Sequence, residues 1–220
     1  MSPAQSNGPD TLVPDPRSWE YAEGFSSPSP AVAAAREAAQ ADGWTPCGPG
    51  TTAVLGFLAR TLGAEAVVEI GTDAGVSALA LLEAMGDHGV VTSIDPDPER
   101  QDAARRAVAE AEVRSNRIRL IGGVPLDVLP KLRGEAYDLV LVNGDRLESV
   151  EYVSQALRLL RHGGVVVVNG ALAGNHIADA DNEDDETLIL RETLDSVQDT
   201  EEFTSVLLPV GAGLLLAVKA

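Results

Sequence analysis

The residues best placed to do chemistry lie in one stretch, Val67-Val68-Glu69-Ile70-Gly71-Thr72-Asp73-Ala74-Gly75-Val76-Ser77. An apolar run there leads into a glycine-containing turn and then into a helical pattern. Glycine at 71 and 75 lets a ligand approach the backbone with no Cβ in the way. The turn falls at the carboxyl end of a buried strand, where open α/β sheets bind their ligands. The start of the following helix, near Ser77, offers free N–H groups to a carboxylate. Asp95 ends the next apolar run, where a carboxylate can accept hydrogen bonds from both hydroxyls of a ribose. Turn and acid together predict a cofactor that contains a nucleoside, and both a nicotinamide dinucleotide and S-adenosylmethionine meet that description. The dinucleotide fingerprint G-x-G-x-x-G needs glycine at 73, where this chain has Asp73. A carboxylate in the turn repels a pyrophosphate, which S-adenosylmethionine lacks.

The elements that must position these residues alternate in type. Short apolar runs at 66–70, 90–94, 118–121, 139–142 and 165–168 read as strands. Longer helical patterns at 76–85, 98–112, 125–132 and 150–161 separate them. Continuous runs such as VVVV at 165–168 suit strands covered on both sides. The pattern predicts an α/β fold, a mostly parallel sheet with helices on both faces. Runs at 205–208 and 214–218 flank Pro209-Val210-Gly211-Ala212-Gly213 and predict a closing hairpin with an antiparallel last strand. Ahead of the first strand, 31–41 (AVAAAREAAQA) and 51–62 read as helices. Residues 1–30, with several Pro and Ser and little apolar periodicity, read for the most part as a flexible arm, and 31–220 as a single domain. The acidic run 179–186 (DADNEDDE) reads as a solvated loop leading into a helix.

Bulk properties narrow the partners. Among 220 residues, 16 are basic and 34 acidic, a formal charge of −18, which opposes binding to a nucleic-acid backbone. A small-molecule partner is expected instead. No apolar stretch reaches the roughly 18 residues of a membrane span, and, with no basic segment followed by an apolar run near residue 1, a secretory signal is not expected. The single cysteine, Cys47, excludes an internal disulfide and fits a cytoplasmic location.

The motifs EIGTDAGVSALAL, SIDPDPERQDAARRAV, YDLVLVNGDR, LRLLRHGGVVVVNGAL and SVLLPVGAGLLLAVK stand in the order seen in O-methyltransferases of the catechol and caffeoyl-CoA type. The chain resembles that family over about 45–220. The resemblance implies a Rossmann-like class I methyltransferase fold with seven strands, methyl transfer from S-adenosylmethionine to a hydroxyl of a small molecule, and a homodimer. Matched by position, it implies cofactor contacts at Cys47, Glu69, Gly71, Thr72, Ser77 and Asp95, with Val124 beside the adenine. Cys47 stands where the family usually has valine, and its thiol reads as a small buried apolar group.

The resemblance also implies a divalent metal held by Asp, Asp and Asn, with a lysine to take the proton. Those ligand positions read Asn143, Asn169 and Gly170 here, and the lysine position reads Arg146. Two neutral amide oxygens hold magnesium weakly, and arginine is no base. The expectation is therefore an enzyme with no metal ligands of its own. Asp145 is the candidate proton acceptor, Asn143 its neighbour in the site, and His176 a further loop residue within reach. A binding protein that keeps the cofactor fold without catalysis is the alternative, and a nicotinamide-dependent oxidoreductase a more distant one.

Overall fold

A computed structural model describes residues 15–220. Helices α1 (Pro16–Glu23), α2 (Pro30–Ala41) and α3 (Pro49–Leu62) precede strand β1 (Ala66–Ile70). Then follow α4 (Val76–Ala84), β2 (Val90–Asp95), α5 (Pro98–Glu110), β3 (Ile118–Gly122), α6 (Pro125–Val128) and β4 (Tyr137–Val142). The chain closes with α7 (Ser149–Leu159), β5 (Leu160–Asn169), α8 (Asp185–Gln198), β6 (Phe203–Leu208) and β7 (Leu214–Lys219). The strands form one seven-stranded sheet in the order β3-β2-β1-β4-β5-β7-β6. Strands β1 to β5 are parallel, and β7 runs antiparallel between β5 and β6. The order reverses between β1 and β4, so the crevice beyond Ile70 and Val142 is the natural ligand site.

The apolar runs of the central strands divide by parity between two cores. Val68, Ile70, Val140, Val142, Val166 and Val168 pack with Tyr152, Ala156 and Leu159 of α7 and Val197 of α8. Val67, Leu139, Leu141, Val165 and Val167 face Leu55 and Ala59 of α3 and Leu81 and Leu82 of α4. Each fully buried Val or Leu contributes about 1.5–3 kcal/mol, which is why the strands carry apolar residues on both faces.

Three expectations are corrected. Within the stretch read as a flexible arm, Pro16–Glu23 is helical. Asp15 caps it by accepting from Ser18 N at 2.8 Å, and Pro16 supplies the preset φ of the first turn. The Glu23 carboxylate ties its end down, accepting from Gly50 N (2.9 Å) and Gly211 N (3.1 Å). The part of that arm at 1–14 lies outside the described residues. The helix expected over 150–161 ends at Leu159, and β5 starts at Leu160, because the pairing of β4 with β5 shifts register between Tyr137 and Leu139. The helix expected over 125–132 covers only Pro125–Val128 and then tightens into the 3-10 turn Leu129–Lys131, where Pro130 has no N–H to continue an α-helix.

Candidate active site

The turn after β1 is built by close approach of three strand ends. Gly71 N donates to Ile94 O and Asn143 N to Ile70 O, both at 2.8 Å. Gly71 has φ +88, and a Cβ on it would stand 2.4 Å from the Asn143 carbonyl oxygen. Past it, Asp73 (φ 47) and Ala74 (φ 52) hold left-handed conformations that cost about 1–3 kcal/mol each. Asp73 is anchored there: its Oδ2 accepts from Cys47 N at 3.0 Å. Burial pushes the Asp73 pKa up to about 6, against the opposing hydrogen bonds of Cys47 and Asn143.

Asp95 is fixed by two backbone donors, Thr72 N on Oδ2 and Asp97 N on Oδ1, each at 2.8 Å. The carboxylate lines a cleft of about 470 Å³ together with Gly71, Val124, Asn143 and Asp145. Val124 contributes an exposed apolar wall beside Pro125. Glu69, Thr72 and Ser77 are fully buried and lie beneath this cleft, outside its lining. Glu69 accepts from the hydroxyls of Ser77 and Ser93, and burial still pushes its pKa up to about 8. Thr72 Oγ1 donates to Ser93 Oγ (2.9 Å) and accepts from Gln101 Nε2 (3.1 Å), so this residue supports Asp95 from below. Sequence reasoning missed Glu148 and Tyr152, which also line the cleft. The buried Tyr152 hydroxyl donates to Glu148, and burial and that acceptor push its pKa up. The signal was their i, i+4 spacing at the start of α7.

The other end of the crevice has a different make-up. Asn169 Nδ2 donates to Asn143 Oδ1 at 2.8 Å and lies 3.5 Å from Cys47 Sγ. Cys47 is buried, and burial raises its thiol well above the usual range, as suits an inert apolar wall. Asn169 Oδ1 is buried with no hydrogen-bond partner among the described residues. Gly170 has φ +82, and a Cβ on it would lie 3.0 Å from Nε and Nη2 of Arg146. This donor set does not fit a divalent metal. One amide oxygen already accepts from the other amide, and the third ligand position holds no side chain but a neighbouring guanidinium. Among the described residues no group of three His, Cys, Asp or Glu converges as a metal would need.

Asp145 lines the cleft, and its Oδ1 accepts from Leu147 N at 3.0 Å to cap the turn Arg146–Glu148. Arg146 Nη1 donates to Glu186 Oε2 at 3.0 Å, which places the start of α8 over this end. His176 is exposed and lines no part of the cleft. The acidic loop ahead of α8 is organised by Arg191, which donates to the carbonyls of Ile177 (3.1 Å), Asn182 (2.8 Å), His176 (3.2 Å) and Asp179.

Comparison with known proteins converges on one family. The family model described as O-methyltransferase matches residues 36–220. A Mycobacteroides abscessus protein named "Putative O-methyltransferase" is 43% identical over 199 residues, 90% of this chain and 93% of its own. A solved Corynebacterium glutamicum structure superposes with TM-score 0.84 at 32% identity, covering 91% of this chain and 94% of that one. The O-methyltransferase TomG from Streptomyces achromogenes, solved in complex with S-adenosylmethionine, gives TM-score 0.81 at 26% identity, with 91% and 94% covered.

Proposed function

The chain belongs to the O-methyltransferase family, and on that premise we propose that it moves the methyl group of S-adenosylmethionine to a hydroxyl of a small molecule without a divalent metal. The observation that carries this reading is the Asp95 cleft at the reversal point of the sheet, joined to an acceptor end whose donor set refuses a metal. In this assignment Asp95 receives the ribose hydroxyls, Gly71 lets the cofactor lie against the backbone, and Val124 covers the adenine. Glu69, Thr72 and Ser77 hold the turn in shape from beneath, and Cys47 walls the methyl-transfer end. The transfer is an in-line displacement. The sulfur–methyl bond breaks as the oxygen–methyl bond forms, and the electron pair of the old bond stays on sulfur. Alignment of the two reactants supplies much of the acceleration in such a step. Asp145, with Oδ2 uncommitted, receives the hydroxyl proton, and Asn143 orients the hydroxyl.

The acidic charge of −18 supports a small acceptor over nucleic acid. No helix among the described residues is long and apolar enough to cross a membrane. A single buried thiol is in keeping with the cytoplasm, where we place the protein. A homodimer is supported by Val206 and Val218, exposed on one face of the edge strand β6 and its neighbour β7. Residues 31–220 are taken as one functional domain. Calorimetric titration with S-adenosylmethionine and with NAD, each with magnesium and with EDTA, tests the reading. Saturable binding of S-adenosylmethionine alone, unchanged by EDTA, is expected, followed by turnover on a panel of phenols. Failure to bind it, or a requirement for magnesium, refutes the proposal; binding with no turnover on any hydroxyl favours the non-catalytic reading.

A further inference from the structure

The position of Arg146 carries an inference about the acceptor, and it rests on the methyl-transfer reading above. A Cβ at Gly170 would stand 3.0 Å from Nε and Nη2 of Arg146 and 3.3 Å from Cζ. The guanidinium fills the volume that any side chain at 170 would need. Loss of the third ligand side chain and gain of an arginine are thus one structural change: an arm is withdrawn from β5, and a planar cation from the β4 loop takes its space. Arg146 brings a planar, five-donor guanidinium cation to this end. Its one hydrogen bond among the described residues runs from Nη1 to Glu186, and the two side chains are 40% and 54% exposed. An ion pair so exposed is weak and open to exchange. Nε and Nη2 have no acceptor among the described residues. One residue before Gly170, Asn169 holds its Nδ2 on Asn143 and, among those residues, leaves Oδ1 buried without a donor. The bond from Nδ2 fixes the amide of Asn143, which lines the cleft together with Asp145.

We propose that Arg146 replaces the metal as the cation that orients the acceptor, so that the substrate is a hydroxylated anion. Its hydroxyl donates to Asp145, which lines the cleft, and a carboxylate beside that hydroxyl accepts from the guanidinium of the next residue, Arg146. Arg–carboxylate pairs are charge-assisted and directional, which suits a group that must hold one oxygen in line with a methyl donor.

The test uses 2-hydroxybenzoate and its neutral counterpart 2-hydroxybenzamide, titrated into the full chain loaded with S-adenosylhomocysteine. The benzoate is expected to bind about tenfold tighter than the amide. R146Q should erase that preference while S-adenosylhomocysteine binding persists, which shows the variant is folded. R146K should restore only part of it, since an ammonium lacks the planar fork. E186Q, which releases Nη1, should tighten the benzoate about threefold. Equal binding of the two probes, binding of neither, or a preference that survives R146Q overturns the proposal and leaves methyl transfer standing. If the wild-type chain takes up no S-adenosylhomocysteine, the methyl-transfer reading falls and this proposal with it.

Discussion

The two ends of the crevice are built on opposite principles. At the Asp95 end the groups nearest the cleft are satisfied from within: the carboxylate has two backbone donors, Glu69 has two hydroxyls, and Thr72 joins both sets, while beneath them Gln101 Oε1 has no partner among the described residues. At the Asn169 end, among the same residues, an acceptor is left buried without a donor, a cation keeps two free N–H positions, and the ion pair that holds it is exposed. A shared, invariant ligand allows a preorganised site whose support is also part of the fold. A ligand particular to one enzyme leaves its groups unpaired until it arrives. Damage at the first end should therefore cost stability and cofactor together, and damage at the second should cost turnover alone.

The largest effect is expected at Gly71. A G71A methyl meets the Asn143 carbonyl oxygen at 2.4 Å in a left-handed backbone, with no flexible side chain to give way. The loss should be at least about 3 kcal/mol, seen as a fall in Tm together with loss of S-adenosylmethionine binding. A stable, cofactor-binding G71A protein would break the idea that support and ligand site are one structure at this end.

Glu69 gives the next effect, through pH. Burial raises its pKa in the folded chain to about 8 from a usual 4.5, so between those values the folded state keeps a proton that the unfolded chain has released. Stability from this group is full below about pH 4.5, falls as pH rises toward about 8, and then levels off. The slope is up to about 1.4 kcal/mol per pH unit. E69Q, which can still engage Ser77 and Ser93, should remove it. Tm of the two proteins measured from pH 5 to pH 9 should diverge, with E69Q gaining; parallel curves would place no such penalty on Glu69.

Asp95 shows the same coupling in milder form, since D95N leaves one of two backbone donors unpaired. D95N keeps an oxygen for Thr72 N or Asp97 N but loses charge-assisted acceptance of ribose hydroxyls, worth about 1.5–3 kcal/mol for a charged partner. S-adenosylmethionine should bind about 30- to 100-fold more weakly by calorimetry, with Tm changed much less than in G71A. Unaltered affinity would remove Asp95 from the ribose site.

The same contrast explains what could be read from the residues alone. The strand, glycine turn and Asp95 are legible because each depends on local chemistry: a buried run, a position hostile to Cβ, an acid at a strand end. The two central cores follow from strand parity. Helix α1 was hidden because its stability comes from Asp15 at one end and from Glu23 reaching residues 50 and 211 at the other, neither of which gives an apolar period. The start of β5 depended on a register shift opposite β4. At the acceptor end, the substitutions at 143, 146, 169 and 170 were visible one by one. That Asn169 bonds to Asn143, and that the Arg146 guanidinium fills the space beside Gly170, are long-range facts that no local pattern encodes.

The smallest change in stability, and the sharpest use of the contrast, is expected at Asn169. Replacing it with leucine, close to it in shape, removes the unpaired Oδ1 and also the donor to Asn143 Oδ1. The first change relieves a cost and the second adds one, but Asn143 is only half-buried and lines an open cleft, so water can take the lost donor's place. The net shift in stability should stay within about 1 kcal/mol. S-adenosylmethionine affinity should hold, because the polar contacts of the Asp95 end do not include Asn169. Methyl transfer should fall about tenfold or more, since Asn143, which orients the acceptor hydroxyl, loses the bond that fixes its amide. A Tm loss comparable to that of G71A would make Asn169 a structural residue of the fold. Full turnover in N169L would show that Asn143 needs no support from β5 to align the acceptor.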